Sequence, residues 1–209
     1  MGAATPAPQR AYWLKTLHQW HWISSALSLV GLLLFTVTGF TLNHASQIEA
    51  KPQVTKKAAQ LPPELFKLIQ SAGDKQPAAP LPPALAGWVE ATLAIEVAGR
   101  PAEWSPEEVY LPLPRPGGDA WLRIAREDGA LEYERTDRGW ISYLNDLHKG
   151  RHTGTAWSWF IDLFAASCLV FSVTGLFILK MHADKRPSTW PVVAGGLVLP
   201  LLLAILFIH

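Results

Sequence analysis

The sequence predicts an α-helical membrane protein with three transmembrane helices and a small α+β domain inserted between the first and second. Three observations predict it. Three long runs carry almost no charge, basic residues gather on flanks that would share one side of a bilayer, and a strand-like stretch punctuated by turns separates the first two runs.

The first run, Trp22 to Leu42, reads WISSALSLVGLLLFTVTGFTL and holds no charged residue. At about 1.5 Å per residue it spans roughly 30 Å, the thickness of a hydrocarbon core. The second, Thr155 to Leu179, contains one acid, Asp162, and the third extends from Trp190 to Ile208. Arg10 and Lys15 precede the first run, as they would in a secretory signal. A signal's apolar region is only about 7–15 residues long, however, and no small-x-small cleavage site follows this one. An uncleaved anchor is expected.

Lys/Arg bias sets orientation. Arg10 and Lys15 lie before the first helix, and Lys180, Lys185 and Arg186 lie between the second and third. Both flanks are therefore expected in the cytoplasm, with residues 43–150 outside, the N-terminus cytoplasmic and the C-terminus outside. Trp13, Trp20, Trp22 and Trp190 would mark the inner interface and Trp157 and Trp159 the outer one, as aromatic belts do. The expected segments are 1–44 (N-terminus and first helix), 45–147 (outer domain), 148–183 (second helix) and 184–209 (third helix).

Composition narrows the function classes. Hydrophobic residues make up 49% and charged residues 17%, against about a quarter charged in soluble domains, which fits a chain part membrane and part water-soluble. A formal net charge of +1 argues against a nucleic-acid footprint. Phosphate-cradling GxxxxGK and GxGxxG motifs are absent. Cys168 is the sole cysteine, so no intrachain disulfide or CxxC motif can form.

Within the outer segment, helices are expected at Pro63–Ala72 and Pro83–Ala94, joined by the stiff linker KQPAAPLPP. Strands are expected in EEVYLPL, AWLRIARE and ALEYERT, with RPGGD and EDGA as the turns between them. A module this short is not expected to bury a large core of its own. It would lean on the membrane helices or on a partner copy.

The histidines carry the chemistry. All seven lie at or near membrane boundaries: His18, His21, His44, His148, His152, His182 and His209. His18 and His21 stand at the cytoplasmic end of the first helix and His182 at the same end of the second. His44, His148 and His152 stand at the outer boundary. Spacings of i,i+3 and i,i+4 within the doublets would put both members on one helix face. Imidazoles on opposed helices, beside an apolar slot, suit bis-histidine ligation of haem iron. The tripeptide VTG occurs twice, at Val37–Gly39 and Val173–Gly175, where a glycine would let a macrocycle or another helix approach closely. His209, one residue beyond the end of the third run, reads as bland.

Among other candidates, Asp162 could accept a hydrogen bond from a ligating imidazole or carry protons, or be a plain interfacial acid. Arg138, Lys149 and Arg151 could hold haem propionates or an anionic substrate, or form a solvated rim. Cys168 reads as a small core hydrophobe.

The stretches LHQWHWISSALSLVGLLLFTVTGFTLNH and DLHKGRHTGTAWSWFIDLFAASCLVFSVTGLFILK resemble the PepSY-associated transmembrane family. The shared marks are Leu17–His18 ahead of a helix with Thr38–Gly39, then Leu147–His148 with Thr174–Leu176 downstream. AWLRIAREDGALEYERT resembles the second half of a PepSY module. The resemblance implies a PepSY-like periplasmic domain and a multi-pass protein of the bacterial inner membrane. It also implies haems between the helices and reduction of ferric siderophores; this chain resembles a short version, with three crossings instead of four or more.

The main expectation is thus a haem b electron-transfer protein, a haem-dependent oxidoreductase. It would pass electrons from an unidentified cytoplasmic or membrane donor to a ferric siderophore or another periplasmic acceptor. One or two haems per chain are expected. The inner one would use His18 or His21 with His182, and the outer one His44 with His148 or His152. His21 and His44 are roughly 35 Å apart along a straight helix. A single haem is therefore the alternative, at the outer end where three histidines sit in two compact motifs. A homodimer and the lipid bilayer are expected partners, nucleic acid is not. The competing function is a non-catalytic PepSY membrane module that binds or restrains a protein such as a peptidase.

Overall fold

The computed structural model describes residues 7–48, 51–71 and 78–208. In chain order the elements are α1 (Ala7–Asn43), β1 (Gln53–Gln60), α2 (Pro63–Ser71), α3 (Pro83–Leu93), β2 (Glu103–Trp104), β3 (Glu108–Pro112), β4 (Gly118–Ala125) and β5 (Ala130–Asp137). They continue with α4 (Trp140–His148), α5 (Thr155–His182), a 3-10 turn at Ala183–Lys185, and α6 (Thr189–Phe207). The chain forms two compact units, residues 1–35 with 159–209, and residues 36–158.

Three helices are long and apolar enough to cross a membrane: Gln9–Asn43, Thr155–His182 and Thr189–Phe207. In the first unit, apolar side chains such as Leu27, Val30, Leu33, Leu163 and Leu169 point outward, and no described residue of α6 is buried. Such a surface is stable only against hydrocarbon or protein. What α1 and α5 bury against each other is small or polar. Ser24 and Ser28 are buried, each returning its hydroxyl to the backbone one turn earlier at 2.7 Å. Ser167 Oγ crosses from α5 to the Ser24 carbonyl at 3.1 Å. At Gly31 the helix surface is flat enough for the Phe164 ring; a Cβ there would lie 2.5 Å from it. Phe164 in turn stacks on Phe35 and Phe160, with centroids 4.9 and 6.2 Å apart. Small residues at the seam and hydrogen bonds across it are how helices associate without a hydrophobic drive between them.

The second unit holds a five-stranded antiparallel sheet in the order β1-β5-β4-β3-β2. The three expected strands are β3, β4 and β5. Their period-2 alternation turns Val109, Leu111, Ala120, Leu122, Ile124, Leu131 and Tyr133 to one buried face. The expected helices form too, each beginning at its proline, where a missing N–H costs nothing. They cover that face with Ile69 from α2 and Leu85, Ala86, Val89 and Leu93 from α3. The expectation that the module would lack a sizeable core is therefore corrected: residues between Leu61 and Tyr133 form one continuous apolar cluster. Two layers, sheet and helix pair, close it. The strand β1 was not expected, because QVTKKAAQ has no alternation of large apolar residues. It is an exposed edge, held by its ladder to β5 and by a 3.0 Å Lys56–Glu134 ion pair. The linker KQPAAPLPP lies partly outside the described residues.

Two local devices fix the ends of this module. The chain leaves α3 through Ala94 in the left-handed region, at φ 54°. Glu90 then clamps the exit, its Oε1 accepting from the backbone N–H of both Val97 and Ala98 at 2.9 Å. These hydrogen bonds to the charged form hold the Glu90 carboxyl below its ordinary value. At the other end Asp146, buried on α4, accepts from the Gly117 N–H at 2.9 Å. Gly117 has φ +73° and a Cβ there would lie 2.7 Å from Tyr143 Cβ, so RPGGD both turns a hairpin and receives α4.

Two outcomes follow. Since the Glu90 carboxyl is depressed in the fold, its stabilising contribution is present above the unfolded-state value and is lost as pH falls through the folded one. Glu90→Gln should lower the melting temperature at neutral pH, and the gap to wild type should close on acidification; a gap independent of pH would remove the clamp. In the membrane unit, Gly31→Ala should destabilise by about 1–3 kcal/mol through overpacking at Phe164. Gly196→Ala, with nothing within 4 Å of the added Cβ, should not, as thermal unfolding in detergent would register.

Candidate functional site

Six of the seven histidines lie among the described residues, and His209 lies outside them. A backbone carbonyl can only accept a hydrogen bond, so any imidazole nitrogen facing one must carry the proton. That rule fixes the tautomer of four rings. His18 Nδ1 donates to Leu14 O at 2.7 Å, His182 Nδ1 to Ile178 O at 2.9 Å, and His44 Nδ1 to Phe40 O at 3.0 Å. In each case the acceptor is the residue four positions earlier on the same helix. His21 Nδ1 faces Phe171 O and Thr174 Oγ1, both at 3.1 Å. Thr174 directs its own hydroxyl at the Val170 and Phe171 carbonyls, leaving its oxygen to accept. In the neutral ring Nε2 then carries the lone pair, the state a metal ligand needs.

In the first unit His18 and His182 come together. Their ring centres are 6.3 Å apart and their planes stand at 89°. Both are exposed and line a cavity of about 410 Å³ together with Ile178, Leu179, Arg186 and Thr189. His21 is held apart from this pair. It is half-buried, stacked on Phe171 with centroids 4.6 Å apart, and its Cε1 lies 3.3 Å from where a Cβ on Gly175 would be. The shared inner cluster thus resolves into one packed ring and one open pair.

In the second unit His148 is seated the same way on the other VTG. Its Nδ1 lies 2.7 Å from Thr38 Oγ1, and its Cε1 lies 3.4 Å from the position of a Cβ on Gly39. The two tripeptides, anticipated as landing places for a macrocycle or a helix, each receive an imidazole edge from another helix. Threonine offers the hydroxyl and glycine the space. The threonine partnership was invisible in the sequence, because it needs knowledge of which helix lies opposite.

The remaining outer histidines are not gathered. His44 packs its ring on Phe40, centroids 4.4 Å apart. His152 does not share a helix face with His148, contrary to the i,i+4 expectation. The helix α4 ends at His148, and the chain turns through Gly150, His152 and Gly154, all at positive φ. His152 Nε2 accepts from Arg151 Nε at 3.3 Å. Next to it, the Thr153 hydroxyl oxygen is buried without a partner among the described residues.

Other candidates sort as follows. Asp162 is exposed on α5 and hydrogen-bonds to no imidazole among the described residues. Cys168 is a half-buried free thiol. Lys149 pairs with Asp146 at 3.6 Å, Arg151 serves His152, and Arg138 Nη2 donates to Gly118 O at 3.2 Å while lining a separate cavity. Among the described residues no three His, Cys, Asp or Glu side chains converge as around a protein-ligated zinc.

Comparison with known proteins gives one positive finding. A family model described as PepSY_TM-like matches residues 12–209. No curated protein and no solved structure matches the chain. The matched span takes in all three membrane helices, both histidine-bearing VTG contacts and the whole sheet module. The chain belongs to the PepSY_TM-like family.

Proposed function

We propose that this membrane protein is a haem b electron-transfer protein of the bacterial inner membrane. Its N-terminus would be cytoplasmic and its sheet module periplasmic, and its acceptor would be a ferric siderophore or another periplasmic oxidant. The observation that carries the proposal is the His18–His182 pair. His18 and His182 would be the residues to hold such a group, each offering a neutral imidazole nitrogen, the donor that haem iron takes. The ring centres here are separated by 6.3 Å. Two neighbouring rings with committed Nδ1 donors, lining a cavity, supply donor chemistry that fits the group.

The residues that would hold haem are thus His18 and His182, and bound haem supplies one-electron redox chemistry. The protein's own share lies in orientation. The Leu14 and Ile178 carbonyls fix each tautomer, the outer-shell hydrogen bond that accompanies ligating histidines in general. Ile178 and Leu179 present an apolar wall, and Arg186 offers a cation for a propionate at the cavity rim. Orientation across the bilayer draws on Arg10 and Lys15 before α1 and on Lys180, Lys185 and Arg186 around the α5–α6 turn. His44, His148 and His152 would supply a second, outer haem only if they move together or a partner copy contributes.

The competing function, a colourless module that binds a partner such as a peptidase, draws support from one observation: His44 and His152 each lie apart from His148. A visible spectrum separates the two. Protein made with ample haem should show split α and β bands on dithionite reduction; a flat spectrum ends the cytochrome proposal. Within it, His18→Ala and His182→Ala should each remove one haem equivalent per polypeptide, whereas His21→Ala should leave that haem in place. Loss in the His21 variant alone would transfer the ligand role to the packed ring. His44→Ala should remove a further equivalent only where two are bound.

A further inference from the structure

A cavity of about 480 Å³ opens in the second unit, away from the histidine pair. Its walls come from two places in the chain, Ala45, Ile48 and Lys51 after α1, and Arg138 to Ser142 with Asn145 at the start of α4. Four features converge on it. Lys51 and Arg138 both line it, and neither has a carboxylate partner among the described residues. The nearest acid in sequence, Asp137, is already engaged: it accepts from the Gly139 N–H at 2.9 Å and lies 3.8 and 3.6 Å from Arg115 and Arg135. The cavity also meets the N-terminus of α4, where the first N–H groups have no helical acceptor and the dipole favours an anion.

The fourth feature is Asn145, which is only 6% exposed yet lines the cavity. One end of its side-chain amide meets Thr41 Oγ1 at 2.8 Å. The other end has no partner among the described residues. Thr153 Oγ1 is the one fully enclosed side-chain atom without a partner among the described residues, so the Asn145 amide nitrogen reaches open space and is free to donate to an occupant of the cavity. The volume lies in the range of organic ligands and exceeds what a bare ion fills. Ala45, Ile48, Ile141 and the ring of Trp140 add apolar wall.

Position chooses among anionic ligands. Ala45 follows the last residue of a helix apolar enough to cross a membrane by two positions. The cavity therefore borders the point where the chain leaves the bilayer, the level of headgroup phosphates and interfacial tryptophans. We infer that it binds the phosphate of an anionic phospholipid. Lys51 and Arg138 hold the phosphate oxygens, Asn145 meets the headgroup, and Trp140 and the isoleucines meet the glycerol and upper acyl chain. The site is independent of the haem proposal.

The test uses the full chain purified in detergent, with phosphatidylglycerol, phosphatidylcholine and inorganic phosphate as separate probes. Native mass spectrometry should show phosphatidylglycerol retained and phosphatidylcholine not, and phosphatidylglycerol alone should raise the melting temperature. Lys51→Gln/Arg138→Gln should reduce phosphatidylglycerol retention at least fivefold. Since Arg138 also bonds the Gly118 carbonyl, Lys51→Gln alone guards against a folding defect; its side chain is exposed, and it should keep wild-type melting while losing part of the retention. An equal rise with inorganic phosphate overturns the lipid assignment in favour of a soluble anion. Equal retention of both lipids, or retention unchanged in the double variant, overturns the site.

Discussion

A neutral imidazole has one nitrogen that donates and one that accepts, and in this protein the helix backbone decides which is which. His18, His44 and His182 each turn Nδ1 onto the carbonyl one turn earlier in their own helix. His21 reaches a carbonyl on α5 instead. The same commitment produces two effects. It satisfies a polar group in a setting with little water, and it leaves Nε2 as the basic nitrogen. Ligand chemistry at the helix ends therefore follows from an ordinary helical hydrogen bond. No acid or metal is needed to prepare these rings.

The seating of His21 and His148 extends this logic to packing. A ring can lie against a helix only where the helix surface is lowered, and each VTG lowers it at glycine while supplying a hydroxyl one residue away. Each such hydrogen bond is worth only about 0.5–1.5 kcal/mol net, but it orients a flat ring that also stacks or packs on its neighbours. The membrane seam obeys the same economy of size at Gly31, where Phe164 fills the space. Where side chains are larger the helices face outward, and α6 does so along its whole described length.

Much of the fold was legible because its signals are local. Apolar length announces α1, α5 and α6. Prolines at first helical positions announce α2 and α3, and period-2 alternation announces β3 to β5. What was not legible depends on distant residues. The strand β1 has no apolar stripe, and only pairing with β5 makes it a strand. Gly117 reads as a turn residue, yet the reason no side chain fits is Tyr143 on α4. The histidines were found by their placement at run ends, but spacing misled at His148 and His152, since i,i+4 implies a shared face only inside one helix. The glycines after Lys149 and Thr153 are the signal that the helix stops there. Phe171 and Asn145 carried no signal, and Thr38 and Thr174 stood out only as members of VTG, because each acts through a partner more than ninety residues away.

The two ends of the histidine set differ in a way that bears on what the chain can do alone. At His18 and His182 both rings are exposed, tautomerically prepared and close to one another, with ring centres 6.3 Å apart. Ordering two free side chains on binding carries an entropy cost, and holding the rings beforehand by their Nδ1 bonds reduces it. At the outer end His148 is locked against α1, His44 lies on Phe40, and His152 sits at a positive φ beyond the helix end. Assembling a ligand pair there would require moving His44 off Phe40, swinging the loop of His152, or bringing a second chain. On the proposed reading, the prepared pair is where a single chain would take haem, and the outer histidines are where a partner copy would be needed.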